Sequence, residues 1–207
     1  MAAAAVTLVD EREVVLRVSG VRFPVELLSP VGFRPDDLAT WPRGDGRFEY
    51  VDGRLLFRPP CADTQQYVAI DVAFVLRSWS ESRTELVVGG NEAGMKLGRD
   101  TRAADAAVWR RADVGEARGH LQSVPPVLAV EVGGQDEDEP VLRAKARWYL
   151  DHGVAIVWLV LPESREVVVV TGAGESRHGS GARLPEDQRL PGLAPEVDRF
   201  FAQLDRR

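Results

Sequence analysis

Apolar positions recur along this 207-residue chain with two periods, and each change of period marks an element. Residues 6–28 alternate as strands do: Val14, Leu16 and Val18 share a face, and Asp10-Glu11-Arg12 offers a turn before them. The spacing predicts an N-terminal β arm or hairpin over residues 1–30, set off by Ser29-Pro30-Val31-Gly32 from a domain over 31–207. Pro35-Asp36-Asp37-Leu38 has the form of a helix start with acidic residues in its first turn. After a turn at Arg43-Gly44-Asp45-Gly46, Phe48-Glu49-Tyr50-Val51 runs into Asp52-Gly53, a two-residue hairpin signal, and returns as Arg54-Leu55-Leu56-Phe57.

Helical spacing follows over 64–79, where Tyr67, Ile70, Val72, Phe74, Val75 and Leu76 fit a helix packed on a sheet. Short strands are expected at 85–88 and 94–97 around a Gly89-Gly90-Asn91 turn. Residues 103–109 and 127–132 read as strands buried on both faces, with Pro125-Pro126 at the entry to the second. Residues 139–152 form a helix with Asp138 as N-cap, Pro140 near its first position and Gly153 as its stop. Strands at 154–161 and 166–170 are expected to pair. A Gly/Ser-rich loop over 171–182 and a short helix over 195–205 complete the chain. Such an order gives an α/β fold, a mixed sheet flanked by helices.

A content of 44% hydrophobic and 28% charged residues is that of a soluble globular domain. The net charge of −6 excludes a surface coated for nucleic-acid binding, while leaving room for one basic groove. A single cysteine, Cys61, excludes an internal disulfide framework. The start of the chain lacks the pattern of a signal peptide, and the longest apolar run, 154–161, is too short to span a membrane. A cytoplasmic protein is expected.

Only two of the 26 basic residues are lysines, Lys96 and Lys145. Lys145 shares its helical face with Val141, Leu142, Trp148, Tyr149 and His152, while Arg143, Arg147 and Asp151 fall on the other side. An ammonium on a core-facing stripe needs carboxylate partners, because burying it unpaired is prohibitive. Asp105 and Glu131, each in an otherwise apolar strand, are the candidates. Two carboxylates and a lysine suit phosphodiester hydrolysis, in which one or two Mg²⁺ ions activate water and neutralise phosphate charge. Mg²⁺ keeps several waters, so one or two carboxylates per ion suffice. Asp105 and Glu131 are the expected ligands, the backbone carbonyl of Val132 a further one, and Lys145 the group that holds the attacking water or offsets developing charge. Glu49, in an apolar hairpin strand, is a fourth candidate; the alternative for it is a plain ion pair with an arginine.

Other chemistries fit poorly. His120, His152 and His178 have no metal-ligand spacing, and the chain has no G-x-S-x-G elbow, P-loop or G-x-G-x-x-G fingerprint.

The ordered set Phe48-Glu49-Tyr50-Val51-Asp52-Gly53-Arg54-Leu55, Asp105-Ala106-Ala107-Val108, Val130-Glu131-Val132 and Lys145-x₃-Tyr149-x₃-Gly153-Val154, followed by Trp158-Leu159-Val160, resembles the bacterial "putative restriction endonuclease" domain family of Uma-two type. That family is a branch of the PD-(D/E)xK nuclease superfamily. Phe33-Arg34-Pro35-Asp36-Asp37-Leu38 is similar to its opening segment, and the resemblance covers roughly residues 33–205. It implies a restriction-endonuclease-like sheet and a DNA endonuclease dependent on Mg²⁺ or Mn²⁺. In this family the lysine has moved from the strand to the following helix, which accounts for Gly133 and Lys145. Departures are Ala104 for a proline, Gln65 or Gln66 for a histidine, and Ala155-Ile156-Val157 for Pro-Glu-Tyr. The acids Asp136-Glu137-Asp138-Glu139 read as a solvated run favouring a helix N-terminus. A homodimer suits cleavage of both strands of a duplex. The rival readings are a nuclease scaffold that binds without cutting, and a structural protein in which Lys145 only neutralises two buried acids.

Overall fold

The computed structural model describes residues 5–10, 13–17, 20, 23–116 and 119–205. The chain divides into two compact units, one of Met1–Pro60 with Lys96–Arg102, the other of Cys61–Met95 with Ala103–Arg207.

In the first unit β1 (Ala5–Asp10) pairs antiparallel with β2 (Glu13–Arg17), as the alternation predicts. The turn residues Glu11 and Arg12, and Val18, lie outside the described residues. β3 (Val25–Leu27), β4 (Arg47–Val51) and β5 (Arg54–Arg58) follow in the order β3-β5-β4, antiparallel throughout. Asp52 and Gly53 take φ of 52° and 77° between β4 and β5. A two-residue turn matched to strand twist requires both to be left-handed, and Asp-Gly tolerates that. The helix expected from Pro35 is only a 3₁₀ turn, Leu38–Thr40. The acids lie before it, and Asp37 caps it by accepting the Ala39 N–H at 3.1 Å.

The second unit carries α1 (Asp63–Ser80), β6 (Leu86–Leu97), β7 (Asp100–Arg110), α2 (Arg111–Val114), β8 (Leu128–Val132), α3 (Glu139–Asp151), β9 (Ile156–Leu161), β10 (Glu166–Thr171), β11 (Gly174–His178) and a 3₁₀ helix, Val197–Asp205. β6 ends and β7 begins within the stretch Lys96–Arg102. The strands follow the order β11-β10-β9-β8-β7, with β6 pairing β7. The sheet is mixed, because β8 and β9 run parallel through the α3 crossover while the ladders β7–β8, β9–β10 and β10–β11 are antiparallel. Among the described residues no helix is long and apolar enough to cross a membrane.

Period two decides what each strand face meets. Leu128, Val130 and Val132 pack in one core with Val68, Val72 and Leu76 of α1, all at 0% exposure. The intervening Ala129 and Glu131 therefore point to the opposite face, where α3 lies. Two expectations are corrected. Gly89-Gly90-Asn91 does not reverse the chain; β6 is one strand, with φ of 52° at Asn91 and 64° at Glu92 absorbed inside it. The Gly/Ser-rich segment after residue 171 holds β11, paired with β10. The short helix expected at the end of the chain is a 3₁₀ helix, Val197–Asp205.

An ion-pair network surrounds the start of α3. Glu139 accepts from Arg143 at 2.8 Å and from Arg177 at 2.5 Å, Arg143 reaches Glu175 at 2.5 Å, and Arg177 reaches Glu166 at 2.6 Å. Hydrogen bonds from Arg177 and then Arg143 hold the Glu139 carboxyl below its ordinary value of 4.5. Its stabilisation is complete above that ordinary value and is lost as the pH falls from there through the lowered folded value. Unfolding midpoints measured from neutrality down to about pH 3 should fall through this range. Glu139→Gln should make the decline shallower; an unchanged acid limb in that variant would remove Glu139 from the account.

Candidate active site

The register of β7 on β8 brings the first two acids together. Ala106 pairs with Val130 and Ala107 with Ala129, so counting one residue on sets Asp105 opposite Glu131, on the face away from α1. Opposite residues of an antiparallel pair point to the same side. The Asp105 carboxylate also takes over from the ladder at the strand end, accepting the Val132 N–H on Oδ2 at 2.7 Å. Asp105 is half-buried, whereas Glu131 has 0% exposure.

α3 supplies the counter-charge. Lys145 and Tyr149 are one helical turn apart and share a face. The Lys145 ammonium, on a residue 2% exposed, donates to Glu131 Oε2 at 2.8 Å, and the Tyr149 hydroxyl donates to Glu131 Oε1 at 2.6 Å. A second carboxylate, Glu137 Oε1, lies 2.5 Å from Lys145 Nζ. Glu137 is 5% exposed, which corrects the reading of residues 136–139 as one solvated run. A tight turn brings it inward: Gly134 and Glu137 exchange backbone hydrogen bonds of 3.3 and 3.1 Å. Asp136 is exposed, Asp138 caps α3 by accepting the Val141 N–H, and Glu139 belongs to the arginine network.

Gln65 closes the other side. Its amide Nε2 donates to the Val132 carbonyl at 3.0 Å. A Cβ at Gly134 would lie 2.1 Å from Gln65 Oε1, so glycine is needed for the amide to sit there. Gln65, Glu137 and Tyr149 were not singled out as site residues by sequence reasoning. Tyr149 had a signal, its spacing from Lys145, and Gln65 had one in its departure from a histidine. Glu137 had none, since nothing local shows which way a turn points.

Glu49 lies on β4 in the first unit, 1% exposed, and takes the Arg102 guanidinium on Oε2 at 3.2 Å. Asp105, Glu131, Lys145 and Val132 belong to the second unit and converge there.

Two carboxylates and a backbone carbonyl are hard oxygen donors of the kind Mg²⁺ accepts. Among the described residues no group of three or more His, Cys, Asp and Glu gathers to hold a metal ion. An ion at Asp105 and Glu131 would therefore complete its shell largely with water, as Mg²⁺ does. The residues fit such an ion on these terms.

A family model described as "Putative restriction endonuclease" (Uma2) matches residues 35–198. Among solved structures, the chain is similar to a "putative nuclease belonging to DUF820" from Anabaena variabilis ATCC 29413. The TM-score is 0.72 at 16% identity, covering 83% of this chain and 99% of that one. No curated protein matches.

Lys145→Met should leave Glu131 and Glu137 buried without their shared cation and destabilise the fold by about 3–5 kcal/mol. Tyr149→Phe removes one donor from Glu131 and should cost about 1–3 kcal/mol. Urea unfolding gives both values; a Lys145→Met protein as stable as the parent would show that the ion pairs do not hold the site.

Proposed function

The chain belongs to the Uma2 family of putative restriction endonucleases, and from that premise we propose that it hydrolyses phosphodiester bonds in DNA with Mg²⁺ or Mn²⁺ as cofactor. One observation supports this reading above the others. The Lys145 ammonium is enclosed with Glu131 and Glu137 in the core, beside a half-buried Asp105. Replacing a buried ion pair with well-packed apolar side chains is often neutral or stabilising, so stability is a weak reason to keep these charges, and buried charge clusters concentrate at functional sites.

Asp105, Glu131 and the Val132 carbonyl would hold the ion. When bound, it supplies Lewis acidity that lowers the pKa of a water and neutralises phosphate charge. The chain's own groups do the positioning. The Val132 N–H fixes Asp105, Tyr149 fixes Glu131, Gln65 aims the Val132 carbonyl, and Glu137 sets the place of Lys145. Lys145 would orient the attacking water and offset charge growing on the phosphate. Glu49 enters this reading only as the buried partner of Arg102.

A second reading is favoured by the same two ion pairs of Lys145: a counter-ion in a nuclease scaffold that binds without cutting. Supercoiled plasmid incubated with Mn²⁺, beside calorimetric titration of metal, separates the two. Cleavage that disappears in Asp105→Ala and Glu131→Gln supports the nuclease. A wild-type protein that neither cuts nor takes up metal leaves the scaffold.

Lys145→Arg keeps a positive charge between the glutamates, but the guanidinium is planar and does not deprotonate. It should fold and bind metal yet cut about 10²–10⁴-fold more slowly; parental activity would reduce Lys145 to a counter-ion. Metal-free DNA binding should be weak and fall steeply with salt, as expected for a net charge of −6 relieved only by a local groove. Tight metal-free binding at physiological salt would contradict this.

A further inference from the structure

The face of α1 turned away from the core is apolar where a solvated helix face is ordinarily polar. Tyr67, Ile70 and Phe74 are 45%, 61% and 62% exposed. At 3.6 residues per turn they form one stripe. Asp63 and Arg77, both exposed, lie on the same stripe, each seven residues from Ile70. Asp71 beside it is already engaged, bonded to Gln203 N and Nε2 at 2.8 and 2.9 Å.

We propose that this stripe is the contact between two copies of the chain, packed with their α1 helices antiparallel about a two-fold axis at Ile70. The symmetry of the charges selects this occupant. A two-fold interface pairs residues equally spaced on either side of its axis. With a rise of 1.5 Å per residue, Asp63 and Arg77 each lie about 10 Å from Ile70 along the helix. Antiparallel packing therefore sets Asp63 of each copy against Arg77 of the other, twice. Phe74 falls over Gln66 and Tyr67 across the interface, and Ile70 meets Ile70 at the centre. A parallel pairing would set acid on acid and base on base. The stripe alone is smaller than the ~800 Å² that a standard interface covers on each partner, so the dimer is concentration-dependent. The inference stands on α1 and does not rest on nuclease activity.

Sedimentation velocity of the full chain over a concentration series tests it. The parent protein should shift from monomer to dimer, and Ile70→Asp, which places two carboxylates at the axis, should remain monomeric. Asp63→Arg or Arg77→Asp alone should weaken dimerisation about tenfold, and D63R/R77D together should restore it. That double swap sets adverse charge at both ends of the helix dipole, so recovery has to arise between copies. All three positions are exposed, and circular dichroism confirms that each variant is folded. A parent that stays monomeric at every concentration overturns the proposal, whether the stripe is bare or covered by another part of the same chain. A dimer indifferent to Ile70→Asp, or a double swap that restores nothing, overturns it as well.

Discussion

Enclosing the Lys145 ammonium between Glu131 and Glu137 constrains more of this structure than any other contact. A charge with almost no water needs its partners in fixed places, and the two carboxylates come from different elements, β8 and the turn before α3. Meeting both sets the rotation of α3 about its axis. It also requires the Gly134–Glu137 turn to fold inward, and requires β8 to present its odd-numbered residue toward the helix. A slip of β8 by one residue would exchange Glu131 for Val130 or Val132, leaving the ammonium with an apolar neighbour and a carboxylate in the α1 core.

The end of the β7–β8 ladder shows how a regular element becomes a site. Beyond Ala106–Val130 the strand no longer satisfies the Val132 peptide through backbone pairing alone. Its N–H goes to Asp105 and its carbonyl accepts from Gln65. Buried backbone groups must be paired, and here the pairing is done by side chains whose orientation is thereby fixed. One residue, Val132, ties α1, β7 and β8 into a single polar arrangement through its two backbone groups.

The sequence made much of this legible because periodicity encodes burial. Glu131 and Asp105 were visible as acids interrupting apolar strands, and Lys145 as a cation on the apolar face of a helix; all three came to rest in one place. Glu137 was hidden for the opposite reason. Within four consecutive acids no period exists, and each met a different fate: Asp136 solvated, Glu137 buried, Asp138 a cap, Glu139 an ion-pair hub. Glycine-rich segments misled in the same way. Gly89-Gly90-Asn91 was read as a reversal because its residues tolerate left-handed backbone. β6 uses that tolerance at Asn91, yet continues in its own direction. Local conformational freedom permits a turn without requiring one, and the neighbouring strand β7 decided the outcome.

The same physics accounts for a lysine at 145 in a chain whose other basic residues, apart from Lys96, are all arginines. Around the start of α3 two partly exposed arginines bridge between elements: Arg143 joins Glu139 and Glu175, and Arg177 joins Glu139 and Glu166. A planar fork with five donors suits such partly exposed bridging. Between Glu131 and Glu137 the requirement is different. The cation must be compact, approached from two sides at 2.8 and 2.5 Å, on a residue only 2% exposed. A guanidinium would bring more N–H groups into the core than two carboxylates and a tyrosine hydroxyl are placed to receive, and each one left without an acceptor would carry a desolvation penalty.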